Sequence, residues 1–217
     1  MAANQTGRGR RQTVDPVRRV GVLDIAVCSV VALCLSLAEA RHSDAKSLDA
    51  LIEQCATCHG EGSGPPASLD TPILGGQSEL YALYQLVYFR NGQRKQPVMN
   101  ELVQNLADDD LRALAKWVGS LSPAPPGQQR SSNPDRYQSG EALARRHRCP
   151  ICHDTDYLGR DHIPRLAGQR EQYLLKALND YKTGARVGIQ AAMAEVLAEV
   201  DDDGLEDLAH FLAHYSP

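Results

Sequence analysis

The chain has 217 residues, 23 basic against 27 acidic, a formal net charge of −4, and only two Phe and one Trp. A chain of this length makes one or two small domains. So few large side chains would leave each with a thin core, so a non-protein component is expected inside. The acidic balance does not favour nucleic acid or anionic membranes and suits a basic patch on a protein partner.

Residues 1–40 read as a secretory signal peptide. Arg8, Arg10, Arg11, Arg18 and Arg19 form a basic start, the run "IAVCSVVALCLSLA" spans Ile25 to Ala38, and "AEA" ends at Ala40, where cleavage is expected. The apolar run is short for a membrane span, which needs about 20 residues. Export implies an oxidising compartment, the periplasm of a Gram-negative cell. Cleavage removes Cys28 and Cys34 and leaves four cysteines, with 18 basic and 24 acidic residues, a net of about −6. Peripheral association with a membrane stays open.

Further along, Ser47 is placed to cap a helix carrying Leu48, Leu51, Ile52 and Cys55 on one face. "CATCHG" follows at Cys55 to Gly60, then "PILGGQ" at Pro72 to Gln77. Ser78 is expected to cap a second helix that Gly92 ends. Met99 comes next, and Asp108 is expected to cap a last helix with Leu111, Leu114, Ala115 and Val118 at helical spacing. "SPAPPGQQRSSNPD", Ser122 to Asp135, reads as an extended linker. Beyond it Ser139 is the expected cap before Ala142 and Leu143, "CPICHD" runs from Cys149 to Asp154, and "PRLAGQ" from Pro164 to Gln169. Gly184, Met193 and "DDDGLEDLAHFL" from Asp201 complete the series. No stretch alternates with period two for long, so the fold class is all-α with irregular loops around each C-x-x-C-H.

The second series repeats the first. Cys149, Cys152 and His153 follow Cys55, Cys58 and His59 at an offset of 94, and the "P-x-L-x-G-Q" segments lie at an offset of 92. The expected organisation is a leader over 1–40, a first unit over 41–121, a linker over 122–136 and a second unit over 137–217.

All four mature cysteines belong to the two C-x-x-C-H motifs, and three chemistries use such a motif. Covalent haem takes both sulfurs as thioethers and the His as proximal iron ligand. One helical turn carries both sulfurs to one haem edge, and the next residue brings its imidazole under the iron. Zinc would need further ligands, and none repeats except Met, which zinc does not favour. A thioredoxin-like redox pair would leave the His without a part. Export, the absence of other cysteines and the duplication favour haem, with Cys55, Cys58, Cys149 and Cys152 as attachment points and His59 and His153 as axial ligands. Met99 stands 40 residues after His59, and Met193 stands 40 after His153. No other internal Met exists, so both are the candidate second axial ligands. His42, His147, His162, His210 and His214 have no counterpart at the repeat offset and are expected on the surface or in loops.

With these residues in place, the chain resembles tandem dihaem cytochromes c of class I, most closely the cytochrome c4 family. The segment "HIPRLAGQREQYLLKALNDYKTGAR", His162 to Arg186, resembles that family strongly. The resemblance implies two class I cytochrome domains placed face to face, with two covalently bound haem c groups of His/Met ligation. It also implies that the carbonyls of Pro72 and Pro164 accept a hydrogen bond from the axial His. The second unit departs from the pattern: Asp154 stands where Gly60 does, and Pro150 lies inside the C-x-x-C, where it is expected to end the helix early. Pro97 precedes Met99, but "GIQAA" before Met193 has no Pro. The linker is long for a tightly coupled pair.

The expected function is single-electron shuttling in the periplasm, not catalysis. Two six-coordinate irons leave no open site. The donor would be a quinol-oxidising complex or a dehydrogenase, and the acceptor a terminal oxidase. The alternatives are a haem subunit of a periplasmic dehydrogenase and a dihaem peroxidase-like enzyme with one five-coordinate haem, against which the equal Met spacing argues.

Overall fold

The computed structural model describes residues 46–62, 64–123, 133–186 and 191–217. The expected signal peptide, with Cys28, Cys34, His42 and the Ala40 cleavage site, lies outside the described residues, as does most of the linker. Among the described residues there are helices and no strands: α1 Leu48–His59, α2 Glu79–Arg90, α3 Pro97–Val103, α4 Asp108–Ser120, α5 Pro134–Arg146, α6 Cys149–His153, α7 Glu171–Lys182, α8 Ala191–Leu197 and α9 Asp202–His214. None is long and apolar enough to cross a membrane.

Local chemistry sets the helix ends. Ser47 Oγ accepts from Ala50 N, and Ser78 Oγ from Tyr81 N. After α2 and α7 the chain turns at Gly92 and Gly184, with φ of 69° and 71°. Ser139 does not start α5; it lies inside it. Asn133 caps that helix by accepting from Arg136 N, and Pro134 takes the first position, where a missing N–H costs nothing. Asp108 likewise begins α4 rather than capping it. The preceding residue is Ala107, whose N–H donates to Asp110 Oδ2.

Pro150 acts earlier than the sequence suggested. A proline inside a helix clashes with the carbonyl four residues back, here that of Arg146. α5 ends at that residue, Arg148 adopts a left-handed conformation (φ 57°, ψ 31°), and a fresh turn, α6, runs intact through His153. The first unit has no such break, and α1 carries its motif as one continuous helix.

In the first unit α2 packs on α3 and α4, and α1 on α4. In the second, α9 packs on α5 and α7, with α8 beside α7 and α6 beside α5. The α5–α9 crossing is close, since a Cβ on Gly140 would meet Asp207 O at 2.1 Å. Phe211 centres that core and makes edge contacts with Tyr137, Tyr157 and Tyr215 at ring separations of 5.0 to 5.5 Å.

The two units are in direct contact despite the long linker, and the contact repeats itself. Gln77 Nε2 donates to Arg165 O and its Oε1 accepts from Arg165 N, at 2.8 and 3.1 Å. Gln169 makes the same pair with Ile73 O and Ile73 N, at 2.9 and 2.8 Å. Both glutamines are buried. Equivalent residues exchange equivalent bonds, which is the signature of a two-fold relation between the repeats. Arg94 and Arg186, also equivalent, form an isolated antiparallel bridge on the same seam.

Candidate functional site

Each repeat builds its site from the same three pieces. In the first, the last turn of α1 presents Cys55, Cys58 and His59, the loop supplies Pro72, and α3 supplies Met99. All five line one cavity of about 330 Å³, within the range of ligand pockets. In the second, His153 from α6, Pro164 from the loop and Met193 from α8 line a cavity of about 60 Å³. Cys149 packs against the core beside it, and Cys152 is exposed.

The two histidines are held in one tautomer. His59 Nδ1 lies 3.0 Å from Pro72 O, and His153 Nδ1 lies 3.0 Å from Pro164 O. A carbonyl can only accept, so Nδ1 carries the proton and Nε2 keeps its lone pair. Burial lowers the pKa of both rings, partly offset by the carbonyl bond. Both therefore stay neutral near pH 7 and can donate to a metal through Nε2.

Burial raises the pKa of Cys55 and of Cys149, opposite to the depressed thiol that thioredoxin-like exchange needs. Neither motif closes a zinc shell, because the one convergent triad of His, Cys, Asp or Glu among the described residues is Glu171, His210 and His214.

The groups present do suit a c-type haem. Cysteine, neutral imidazole and thioether are its donor set. Its propionates also need cations, and two half-buried ones stand on the seam. Arg94 lines the first cavity and Arg186 lines both. Arg94 donates to Gln85 Oε1 at 2.8 Å and to the Tyr173 hydroxyl at 3.1 Å; Arg186 donates to that hydroxyl at 3.4 Å. Arg186 Nε is buried without a hydrogen-bond partner among the described residues, as expected of a cation that faces an anionic group. Burial alone would raise the Tyr173 pKa, but the two guanidinium groups outweigh it and pull it down to about 7. Tyr81, its repeat equivalent, is shifted upward by burial.

The repeated "P-x-L-x-G-Q" segments pair Gln77 with Gln169 without giving them work, and Arg94 and Arg186 stand at the same offset of 92. The signal lay in their position: both recurring amides bond to the other repeat, and Arg94 reaches Tyr173 there. His210 and His214 differ more from expectation. They are not loop residues but lie on α9, His210 buried and bonded through Nδ1 to Glu171 Oε2 at 3.1 Å. Among the other histidines, His147 ends α5 and the His162 ring lies tilted against that of Tyr84, with centroids 6.2 Å apart.

Residues 45–118 match the family model of the cytochrome c oxidase cbb3-type subunit III. The chain is 29% identical to cytochrome c4 of Pseudomonas aeruginosa over 193 residues, which cover 83% of this chain and 94% of the relative. It is 29% identical to a thiosulfate dehydrogenase electron acceptor of Stutzerimonas stutzeri, over 87% of this chain and 93% of the relative. Cytochrome c-553 of Helicobacter pylori is 36% identical over 77 residues, 36% of this chain and 80% of the relative. The solved structure of reduced cytochrome c4 from Pseudomonas stutzeri superposes with a TM-score of 0.68 at 26% identity, covering 79% of this chain and all of that one.

A helical fold, duplicated around two haem-binding motifs, defines a c-type cytochrome of two tandem class I domains. The chain belongs to the cytochrome c family, and within it to the dihaem proteins of the cytochrome c4 kind. It is an electron-transfer protein rather than an enzyme, and its cofactors are two covalently bound haem c groups.

Proposed function

We propose that the protein is a periplasmic one-electron shuttle with two His/Met haems in tandem. Cys55 and Cys58 hold the first haem, with His59 and Met99 on the iron. Cys149 and Cys152 hold the second, with His153 and Met193. The observation that carries this is the shared cavity of Cys55, Cys58, His59 and Met99, with the His59 Nε2 lone pair left available by the Pro72 bond. When bound, the haem supplies a reversible one-electron couple. The chain's own residues do the rest. The carbonyls of Pro72 and Pro164 fix the imidazoles, and a Met thioether favours the ferrous state and raises the potential. Arg94 and Arg186 set positive charge between the two sites, and the Gln77 and Gln169 bonds keep the repeats at a fixed separation. Domain limits of 41–121 and 137–217, joined over 122–136, fit this reading, although α5 already begins at Pro134.

The acidic surface favours basic partners. The route we propose runs from a quinol-oxidising complex or periplasmic dehydrogenase to a terminal oxidase. The likeness to a thiosulfate dehydrogenase electron acceptor supports a second reading, in which the donor is a dehydrogenase that docks directly on this chain.

The test is a redox titration of the mature protein, with the near-infrared band that marks Met on ferric haem. Two haems, both with the band and neither binding carbon monoxide, are expected. Met99→Ala and Met193→Ala should each remove one band and lower one potential. If Met193→Ala changes neither, the second ligand assignment is wrong.

A further inference from the structure

We propose that Glu171, His210 and His214 form a site for one divalent transition-metal ion of the zinc class, outside both haem cavities. The three side chains each bring one ligand atom, and all these atoms lie within 4.8 Å of one another. His210 and His214 are four apart on α9, so their imidazoles share a face, with ring centroids 4.3 Å apart. Glu171 opens α7 and reaches across, its Oε2 3.1 Å from His210 Nδ1. A tetrahedron with bonds of about 2.0 Å has edges of roughly 3.3 Å, so the Glu171–His210 separation already fits one edge.

Tautomer and burial favour the same use. His214 Nδ1 lies 2.8 Å from His210 O, so it holds the proton and Nε2 carries a lone pair. The His210 Nδ1–Glu171 contact is one that an ion can take over by displacing the proton between them. The His210 side chain is 5% exposed, His214 13% and Glu171 36%, so the site is closed at its base and open at the carboxylate. Arg136 is the nearby cation, and it is ion-paired to Glu206 and Asp207 at 3.0 Å each. With Glu171 the patch is therefore net negative. Two imidazoles and one carboxylate, with a fourth position open to water, suit zinc and not the all-oxygen shells of calcium or magnesium.

The first repeat provides an internal control. At the equivalent positions it keeps Glu79 but has Lys116 and Ser120 in place of the histidines. An ion at the second repeat would clip the start of α7 to the end of α9, a link the first repeat does not have.

The experiment is isothermal titration of chelator-treated mature holoprotein, with both haems attached, using zinc sulfate. One saturable equivalent is expected, with no change in the visible haem spectrum and a higher melting temperature. His214→Gln and Glu171→Gln should each weaken binding about tenfold or more. Lys116→Ala in the first repeat should leave it unchanged. Zinc-edge X-ray absorption on the wild-type complex should show two imidazoles, a readout that does not depend on how the variants fold. Absence of saturable binding, binding undiminished in His214→Gln, or a zinc shell without two imidazoles would each overturn the proposal.

Discussion

The two repeats share a plan but hold themselves together differently. The second has one continuous core of thirteen buried residues, in which Phe211 meets three tyrosine rings. The first has two clusters of three buried residues each, bridged by the half-buried Leu83 and Leu86, and its cavity is more than five times larger. The backbones differ in the opposite sense. Around the first motif, Gly60 takes the positive φ that the turn needs. In the second repeat that demand falls on non-glycine residues: Arg148, Asp154, Tyr157 and Asp161 all have φ between 48° and 70°. The second repeat thus spends packing on holding a strained loop, while the first has an unstrained loop and leaves its interior to the cofactor.

The largest expected effect is on haem dependence. Cys55→Ala/Cys58→Ala removes attachment in the first repeat, and Cys149→Ala/Cys152→Ala removes it in the second. The first pair should abolish the first repeat's fold, because its small core surrounds a cavity of about 330 Å³ that the cofactor fills. The second pair should leave much of the second repeat helical. Far-UV circular dichroism reads the total, and Trp117, the chain's one tryptophan, reads the first repeat alone. Equal loss in both would break the comparison.

Next is the residue after the histidine of each C-x-x-C-H motif. Gly60 and Asp154 are equivalent and adopt the same conformation, φ 85°, ψ 155° and φ 70°, ψ 160°. That region belongs essentially to glycine, and another residue there costs of order 1–3 kcal/mol. A Cβ on Gly60 would also meet Gly64 O at 2.6 Å and Pro65 O at 2.8 Å. Gly60→Asp should therefore destabilise the first repeat by about 3 kcal/mol. Asp154→Gly should stabilise the second by about 1 kcal/mol, since it relieves strain but gives up the Asp154 Oδ1 bond to Thr155 N. Denaturant unfolding of the two holoproteins measures both. A destabilising Asp154→Gly would mean that the second loop carries no strain.

The sequence made some of this difference readable and hid the rest. Repeated cysteines, histidines and methionines stand out as site candidates because covalent attachment and ligation admit few substitutes. Pro150 and Asp154 were visible as departures, but where the chain would bend was not. The steric clash of a proline falls on Arg146, four residues back, and only the backbone reveals that the break precedes Cys149. Contact between the repeats was unreadable from a long linker, since linker length says little about the surfaces it joins. His210 and His214 were dismissed for lack of a repeat partner. That rule finds what two domains share and is blind to what one has alone.

The smallest expected effect concerns how the last helix of each repeat is held at its start. Asp108 pairs with Arg90 at 2.7 Å, and Asp202 with Lys182 at 2.8 Å, at equivalent positions. Hydrogen bonding to these cations, with their charge, holds both carboxyls below the ordinary value of 3.8. A depressed folded-state pKa adds stability that is complete above the unfolded value and lost as pH falls through the folded one. Melting curves of Asp108→Asn and wild type should therefore differ slightly at pH 6 and converge as pH drops below 3.8. Both pairs are solvated, so the differences are small. They should not be equal. α9 keeps a side-chain cap, Asp201 Oδ1 accepting from Gly204 N at 2.9 Å, whereas Ala107 offers α4 none. Arg90 is also fixed by a second bond, to Leu106 O. Asp108 thus carries more of its helix's start than Asp202 does. Asp202→Asn should shift the melting temperature less than Asp108→Asn, and the reverse order would mean that the cap matters less than the ion pair.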